Sequence, residues 1–123
     1  VGLADERGEV AALYGGVPQL CVGRRTDVIE GCPKAQGAML LLRAMNPQVL
    51  AMDEITAPED VGALLTAAGC GAVLLATAHG EGDELTRRPL YRTMLEERIF
   101  QRVVSIQRTE QGRSYTVETP EPC

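Results

Sequence analysis

Apolar residues gather into short runs and helical stripes separated by polar, glycine-rich connections. Val1–Ala4 is an apolar run that stops at Asp5-Glu6-Arg7, the pattern of a buried strand reaching its end. Glu9–Tyr14 fits a helical turn or one arm of a hairpin, and the pattern does not separate the two. Gly15–Gly31 carries four glycines and one proline together with Arg24, Arg25 and Asp27, and reads as a long loop. Loops of that length in compact domains are usually functional. Cys32-Pro33 opens a helix, proline being suited to a first turn. Ala35, Ala38, Met39, Leu41, Leu42 and Met45 recur along it at helical spacing, and Asn46-Pro47 ends it.

Gln48–Ile55 (QVLAMDEI) is apolar until two carboxylates close it, and it is too short after a proline for a helix; a buried strand is expected. Thr56-Ala57-Pro58-Glu59 matches a capping box with Thr56 at the cap. Val61, Leu64, Leu65 and Ala68 then define an amphipathic helix, with Gly69 in the position of a C-terminal glycine. Gly71–Ala78 (GAVLLATA) predicts a second buried strand, followed by His79-Gly80. A polar stretch to Arg88 leads into a helix near Pro89–Arg98 with Leu90, Met94 and Leu95 inward. Arg102–Arg108 and Ser114–Glu118 alternate around Gln111-Gly112, a hairpin signal, and the tail after Thr119 reads as loose.

Strand, helix, strand, helix, strand, with continuously apolar strands, is the signature of an α/β fold whose largely parallel sheet is covered on both faces. Ligands in such sheets sit at the carboxyl ends of the strands. Three polar clusters fall there: Asp5-Glu6, Asp53-Glu54, and Thr77 with His79.

Composition narrows the classes. The 123 residues suffice for about one small domain, and 45% hydrophobic with 24% charged residues excludes a disordered tail or a coiled coil. A net charge of −5 argues against a nucleic-acid module, which would show a basic face, and 3% aromatic content argues against a stacking platform for single strands. The apolar runs are too short for a transmembrane segment, and no secretory signal opens the chain. Cys21, Cys32, Cys70 and Cys123 form no C-x-x-C pair and read as reduced thiols of a cytosolic protein.

The clusters suggest phosphate chemistry. An aspartate at a strand tip, such as Asp53, can hold Mg²⁺ largely through water, and an adjacent glutamate, Glu54, can orient or deprotonate a water for attack on a γ-phosphate. This is a Walker B arrangement; the plainer reading is that both acids start a loop and help cap the next helix. Thr77 and His79 share a side, and a neutral imidazole there could sense phosphate. Asp5 and Glu6 could complete an acidic rim around a metal–nucleotide centre. Arg7, Arg24 and Arg25 are candidates for neutralising phosphate charge across a subunit boundary, although surface arginines more often do not. A phosphate-cradling G-x-x-x-x-G-K-[ST] loop is absent from the chain.

VGLADERGEVAALYGGVPQ, VGRRTDVIEGCPKAQGAMLLLRAMNPQVLAMDEI and ATAHG resemble the stage III sporulation protein AA family, over about residues 1 to 108. This is a family of ATPases of endospore-forming bacteria similar to secretion and pilus-retraction ATPases. The resemblance implies a RecA-like P-loop NTPase core, truncated before its first strand and P-loop, with a C-terminal β-hairpin, residues 1–119 forming the core portion and 120–123 a tail. It implies ATP and Mg²⁺ as cofactors, with Asp53 as the metal residue and Glu54, Glu6 and His79 as catalytic. Asp5 would contribute to nucleotide binding; from the residues themselves, Thr77 at its strand end and Arg25 in the GRRTDV loop are added as nucleotide-binding candidates, Arg25 by contacting a neighbour's nucleotide. A homo-oligomeric, hexameric ring is implied, serving the mother-cell-to-forespore channel and its membrane proteins. Its place would be the mother-cell cytoplasm, free or peripheral at the membrane facing the forespore.

The resemblance also implies that the phosphate loop precedes Val1 in a longer parent, and that the piece alone is inactive. The missing strand would lie between those of ATAHG and RVVSIQR, leaving exposed backbone to be closed over or paired with another chain. Two rivals stand beside this reading: a degenerate, non-enzymatic assembly module, and a nucleic-acid motor.

Overall fold

A computed structural model describes residues 1–80 and 84–120, the side chain of Thr86 excepted. The chain divides into two compact units, Val1–His79 and Gly80–Cys123. The first contains β1 (Gly2–Asp5), β2 (Leu13–Tyr14), β3 (Val17–Pro18), β4 (Asp27–Glu30), α1 (Lys34–Met45), β5 (Val49–Met52), α2 (Pro58–Gly69) and β6 (Val73–Ala76). Its main sheet has the order β4-β1-β5-β6, with every neighbouring pair parallel. The α/β architecture read from the strand–helix alternation is thus present, as a four-stranded parallel sheet.

Pairing register explains which side chains are buried. Val28, Leu3, Ala51 and Leu75 stand opposite one another across the four strands and therefore share a face. Leu3 and Ala51 are covered there by Ala11, with Leu13, Val22 and Val28 packed around them. Leu50 and Met52 alternate to the other side of β5 and are fully buried, as is Leu64 of α2. Helix α1 packs on β1 and on α2, and α2 packs on β6. Gly37 lets α1 approach the sheet: a Cβ there would stand 3.2 Å from Cys32 Sγ and 3.3 Å from Ile29 Cγ2.

Coverage of the second face differs from expectation. The 10–22 segment covers β4, β1 and β5, whereas Val73 and Leu75 on the edge strand β6 are 65% and 62% exposed. The stretch expected to be one loop, Gly15–Gly31, contains β3 and the sheet strand β4. DVIE has polar residues at both ends and one sheet neighbour, so it lacks the apolar run of a central strand. Between Glu9 and Tyr14 the hairpin alternative holds, but only Leu13–Tyr14 pairs, with Val17–Pro18, through Gly15 and Gly16 at φ +57° and +79°.

Helix ends also shift. Pro33 is the N-cap of α1, one residue before the first turn. Ala57, not Thr56, is the N-cap of α2, and Asp60, not Glu59, closes the cap by accepting the N–H groups of Thr56 and Ala57, each at 3.0 Å. Gly69 lies within α2; the left-handed glycine is Gly71 (φ +86°), whose N–H bonds the Ala68 carbonyl. The strands of QVLAMDEI and GAVLLATA are shorter than their apolar runs, β5 ending at Met52 and β6 at Ala76.

The second unit has α3 (Glu84–Arg87), α4 (Pro89–Glu96), β7 (Val103–Thr109) and β8 (Gly112–Glu118). Tyr91 and Met94 are the buried residues of α4, while Leu90 and Leu95, expected inward, are half-buried. The expected C-terminal hairpin forms from β7 and β8, placing Val104 opposite Val117 and Ile106 opposite Tyr115. The short α3 lies in the stretch read as merely polar; residues 81–83 and 121–123, the latter most of the expected loose tail, lie outside the described residues.

Because Gly37 sits at the α1–β1 contact, Gly37→Leu is expected to lower stability by about 1–3 kcal/mol through overpacking, measured by chemical denaturation.

Candidate functional site

The carboxyl ends of β1, β5 and β6 are adjacent, and each delivers polar residues to the same edge. After β1, Asp5 and Glu6 take different work. Asp5 is 1% exposed, and its carboxylate accepts the N–H groups of Glu9, Val10 and Ala11 at 2.9–3.3 Å. A buried carboxylate is tolerable only when so satisfied. Asp5 thereby shapes the chain that covers Leu3 and Ala51.

Glu6 reaches the start of α1. Its Oε2 accepts the Lys34 backbone N–H at 3.3 Å and the Lys34 ammonium at 3.1 Å. It therefore caps a helix whose own N-cap, Pro33, has no side-chain acceptor to offer. The hydrogen bond from the Lys34 side chain holds the Glu6 carboxyl below the ordinary carboxylate range.

Asp53 and Glu54 follow β5 directly. Thr77, immediately beyond β6, links them: its hydroxyl donates to Asp53 Oδ1 at 2.7 Å and accepts the Glu54 N–H at 2.8 Å. The Thr77 backbone adds two further bonds, its N–H to the Met52 carbonyl and its carbonyl to the Ile55 N–H. These hold Glu54 at φ +55°, a left-handed conformation that costs a non-glycine residue roughly 1–2 kcal/mol. The Glu54 carboxylate stands 3.9 Å from Arg7 Nη1 and 4.0 Å from His79 Nε2, separations too long for strong pairing. His79 is 88% exposed at its side chain and open to an incoming group.

Glu6, Arg7, Lys34, Asp53 and Glu54 line a cavity of about 10 Å³, room for about one water. A larger open groove of about 370 Å³, at Leu13, Gly16, Pro18, Thr26, Asp27 and Val28, has a single charged residue and no convergence of chemistry. Asp53 Oδ2 has no hydrogen-bond partner among the described residues. No three His, Cys, Asp or Glu side chains among those residues converge into a metal site by themselves.

The structure thus brings Glu6, Asp53, Glu54, Thr77 and His79 together and sets Asp5 beside them in an organising role. Arg25 lies elsewhere: its carbonyl accepts from the Val1 amino group, at the amino-terminal ends of the strands. Lys34 is the residue that sequence reasoning missed. Its signal was present, since a lysine opening a helix opposes the helix dipole and implies a dedicated acidic partner. Cys21, Cys32 and Cys70 are free thiols. No helix among the described residues is long and apolar enough to cross a membrane.

Comparison with known proteins gives the family. The profile of the family described as "Sporulation stage III, protein AA" matches residues 1–117. Stage III sporulation protein AA of Bacillus subtilis (strain 168) is 41% identical over 110 residues, covering 89% of this chain and 36% of that protein. The chain therefore spans about a third of the length of that curated relative, and it belongs to the stage III sporulation protein AA family.

Two measurements check the β1 acids. Asp5→Ala, which strands buried amides, is expected to cost about 2 kcal/mol or more in chemical denaturation and to speed amide exchange at residues 9–11. Because Glu6 has a lowered folded-state pKa, its contribution to stability is present above its unfolded value and is lost as pH falls through the folded one. The stability gap between wild type and Glu6→Gln should accordingly be widest near neutrality and shrink below about pH 4, followed by denaturation across pH 3–7.

Proposed function

We propose that this member of the stage III sporulation protein AA family is part of an ATP-hydrolysing motor that acts in sporulation. The observation that carries the reading is the convergence of Glu6, Asp53, Glu54, Thr77 and His79 at the carboxyl ends of adjacent parallel strands, where Glu6, Asp53 and Glu54 line a water-sized cavity. The family description supports the sporulation role.

Each residue has chemistry suited to that task. Asp53 would hold Mg²⁺ through Oδ2, the oxygen that Thr77 does not occupy, directly or through water, with phosphate and water oxygens completing the shell, as this ion prefers. Mg²⁺ bound there would neutralise phosphate charge. Glu54 would orient and deprotonate the attacking water in the cavity it lines. Thr77 keeps the two carboxylates in fixed relation through one hydroxyl. His79, exposed beside Glu54, is placed to sense the γ-phosphate, and Arg7 stands on the same rim. Glu6 contributes fixed negative charge more than basicity, because Lys34 keeps it ionised.

The phosphate-cradling loop would come from another part of a longer protein, in keeping with the third of the relative's length that this chain spans. A homo-oligomeric ring and docking to channel membrane proteins belong to the same proposal. In such a ring Arg25, at the strand ends away from its own chain's cleft, would serve a neighbour's nucleotide.

The test is ATP hydrolysis by the full-length protein. Glu54→Gln should retain ATP binding and lower kcat about 100-fold or more, and Asp53→Ala should abolish the Mg²⁺ dependence of nucleotide binding. Unchanged turnover in Glu54→Gln would remove that residue from the mechanism. Absence of both binding and turnover in the wild type would favour a non-enzymatic assembly module instead.

A further inference from the structure

Lys34 occupies a position hostile to a cation. It opens α1, where the helix dipole repels positive charge, and its side chain is only 10% exposed. Three oxygens surround its ammonium: Glu6 Oε2 at 3.1 Å, Thr56 Oγ1 at 3.3 Å and Asp60 Oδ2 at 3.7 Å. Both acids do a second job. Glu6 caps α1 by accepting the Lys34 N–H, and Asp60 caps α2 by accepting the N–H groups of Thr56 and Ala57. One ammonium consequently joins the starts of two helices to the end of β1. Thr56 follows Glu54 by two residues, and Lys34 lines the same cavity as Asp53 and Glu54.

We infer that Lys34 is a positioning residue of the cleft. It fixes Glu6 and the Thr56–Asp60 turn, which begins two residues after Glu54, while Thr77 holds the Glu54 backbone itself. It also supplies the buried positive charge that allows Glu6, Asp53, Glu54 and Asp60 to share one end of the sheet. Removing it would leave Glu6 and Asp60 repelling each other where two helices begin, so the loop bearing Glu54 would loosen while the strands beneath persisted. Only the kinetic consequence rests on the hydrolytic reading of the cleft; the loosening does not.

The experiment compares Lys34→Met and Lys34→Arg in the full-length protein. In Lys34→Met, amide exchange at positions 34, 56 and 57 should rise about tenfold or more relative to the amides of β1 and β5. In the same variant kcat for ATP hydrolysis should fall about tenfold, with KM for ATP within about threefold of wild type, the split expected when a group acts through another. Lys34→Arg, which keeps the charge, should restore most of both. Unchanged exchange at those three positions overturns the assignment, as does an unaltered kcat in folded Lys34→Met. A wild-type protein without turnover defeats the hydrolytic reading alone, and the exchange result still decides for or against Lys34. Should Lys34→Met not fold, Lys34→Gln carries the same readings with a neutral polar side chain.

Discussion

A parallel sheet delivers the ends of all its strands to one edge, and that constraint organises this chain. β1, β5 and β6 lie side by side in one direction, so residues separated by tens of positions meet where those strands stop. Backbone pairing does this without needing attraction between the acidic side chains. Indeed, those side chains oppose it, since like charges at one edge repel.

The repulsion is managed by giving the carboxylates different partners. Asp5 is saturated by three backbone amides, and Asp60 by two amides and a lysine. Glu6 shares the same lysine. These three acids fasten a covering loop and two helix starts to the sheet. Asp53 and Glu54 are left less occupied, bound to each other's neighbourhood through Thr77 and only distantly paired to Arg7 and His79. Residues with spare hydrogen-bonding capacity, half-buried at a strand end, are the ones available to a ligand. The division between structural and available acids is therefore a matter of which partners the fold supplies, not of residue type.

Packing beneath this edge keeps it in place. Leu50, Met52 and Leu64 are fully buried, and Gly37 lets α1 sit close to the sheet at Ile29 and Ala4, on the helix whose first residue, Lys34, meets Glu6. The strained backbone of Glu54 is held by hydrogen bonds from the next strand, so β6 acts as a template for the turn after β5 as well as a sheet partner.

Much of this was written in local pattern. Apolar runs ending in acids announced β1 and β5, the stripe from Val61 marked α2, and Gln111-Gly112 between alternating segments marked the hairpin, because each depends on neighbours a few residues away. The convergence of Glu6, Asp53, Glu54, Thr77 and His79 was legible too, once the strands were taken as parallel. Strand β4 was not, since its two apolar residues acquire meaning only beside β1. Nor were the different tasks of Asp5 and Glu6, the shift of the α2 cap from Thr56 to Ala57 with Asp60, or the burial of Lys34. Asp5 and the α2 cap were settled by bonds to amides three to six residues away that apolar pattern does not reveal, and Glu6 and Lys34 by partners 22 to 28 residues away. Sequence determines which groups must be satisfied; only the folded chain determines which partners are near enough to satisfy them.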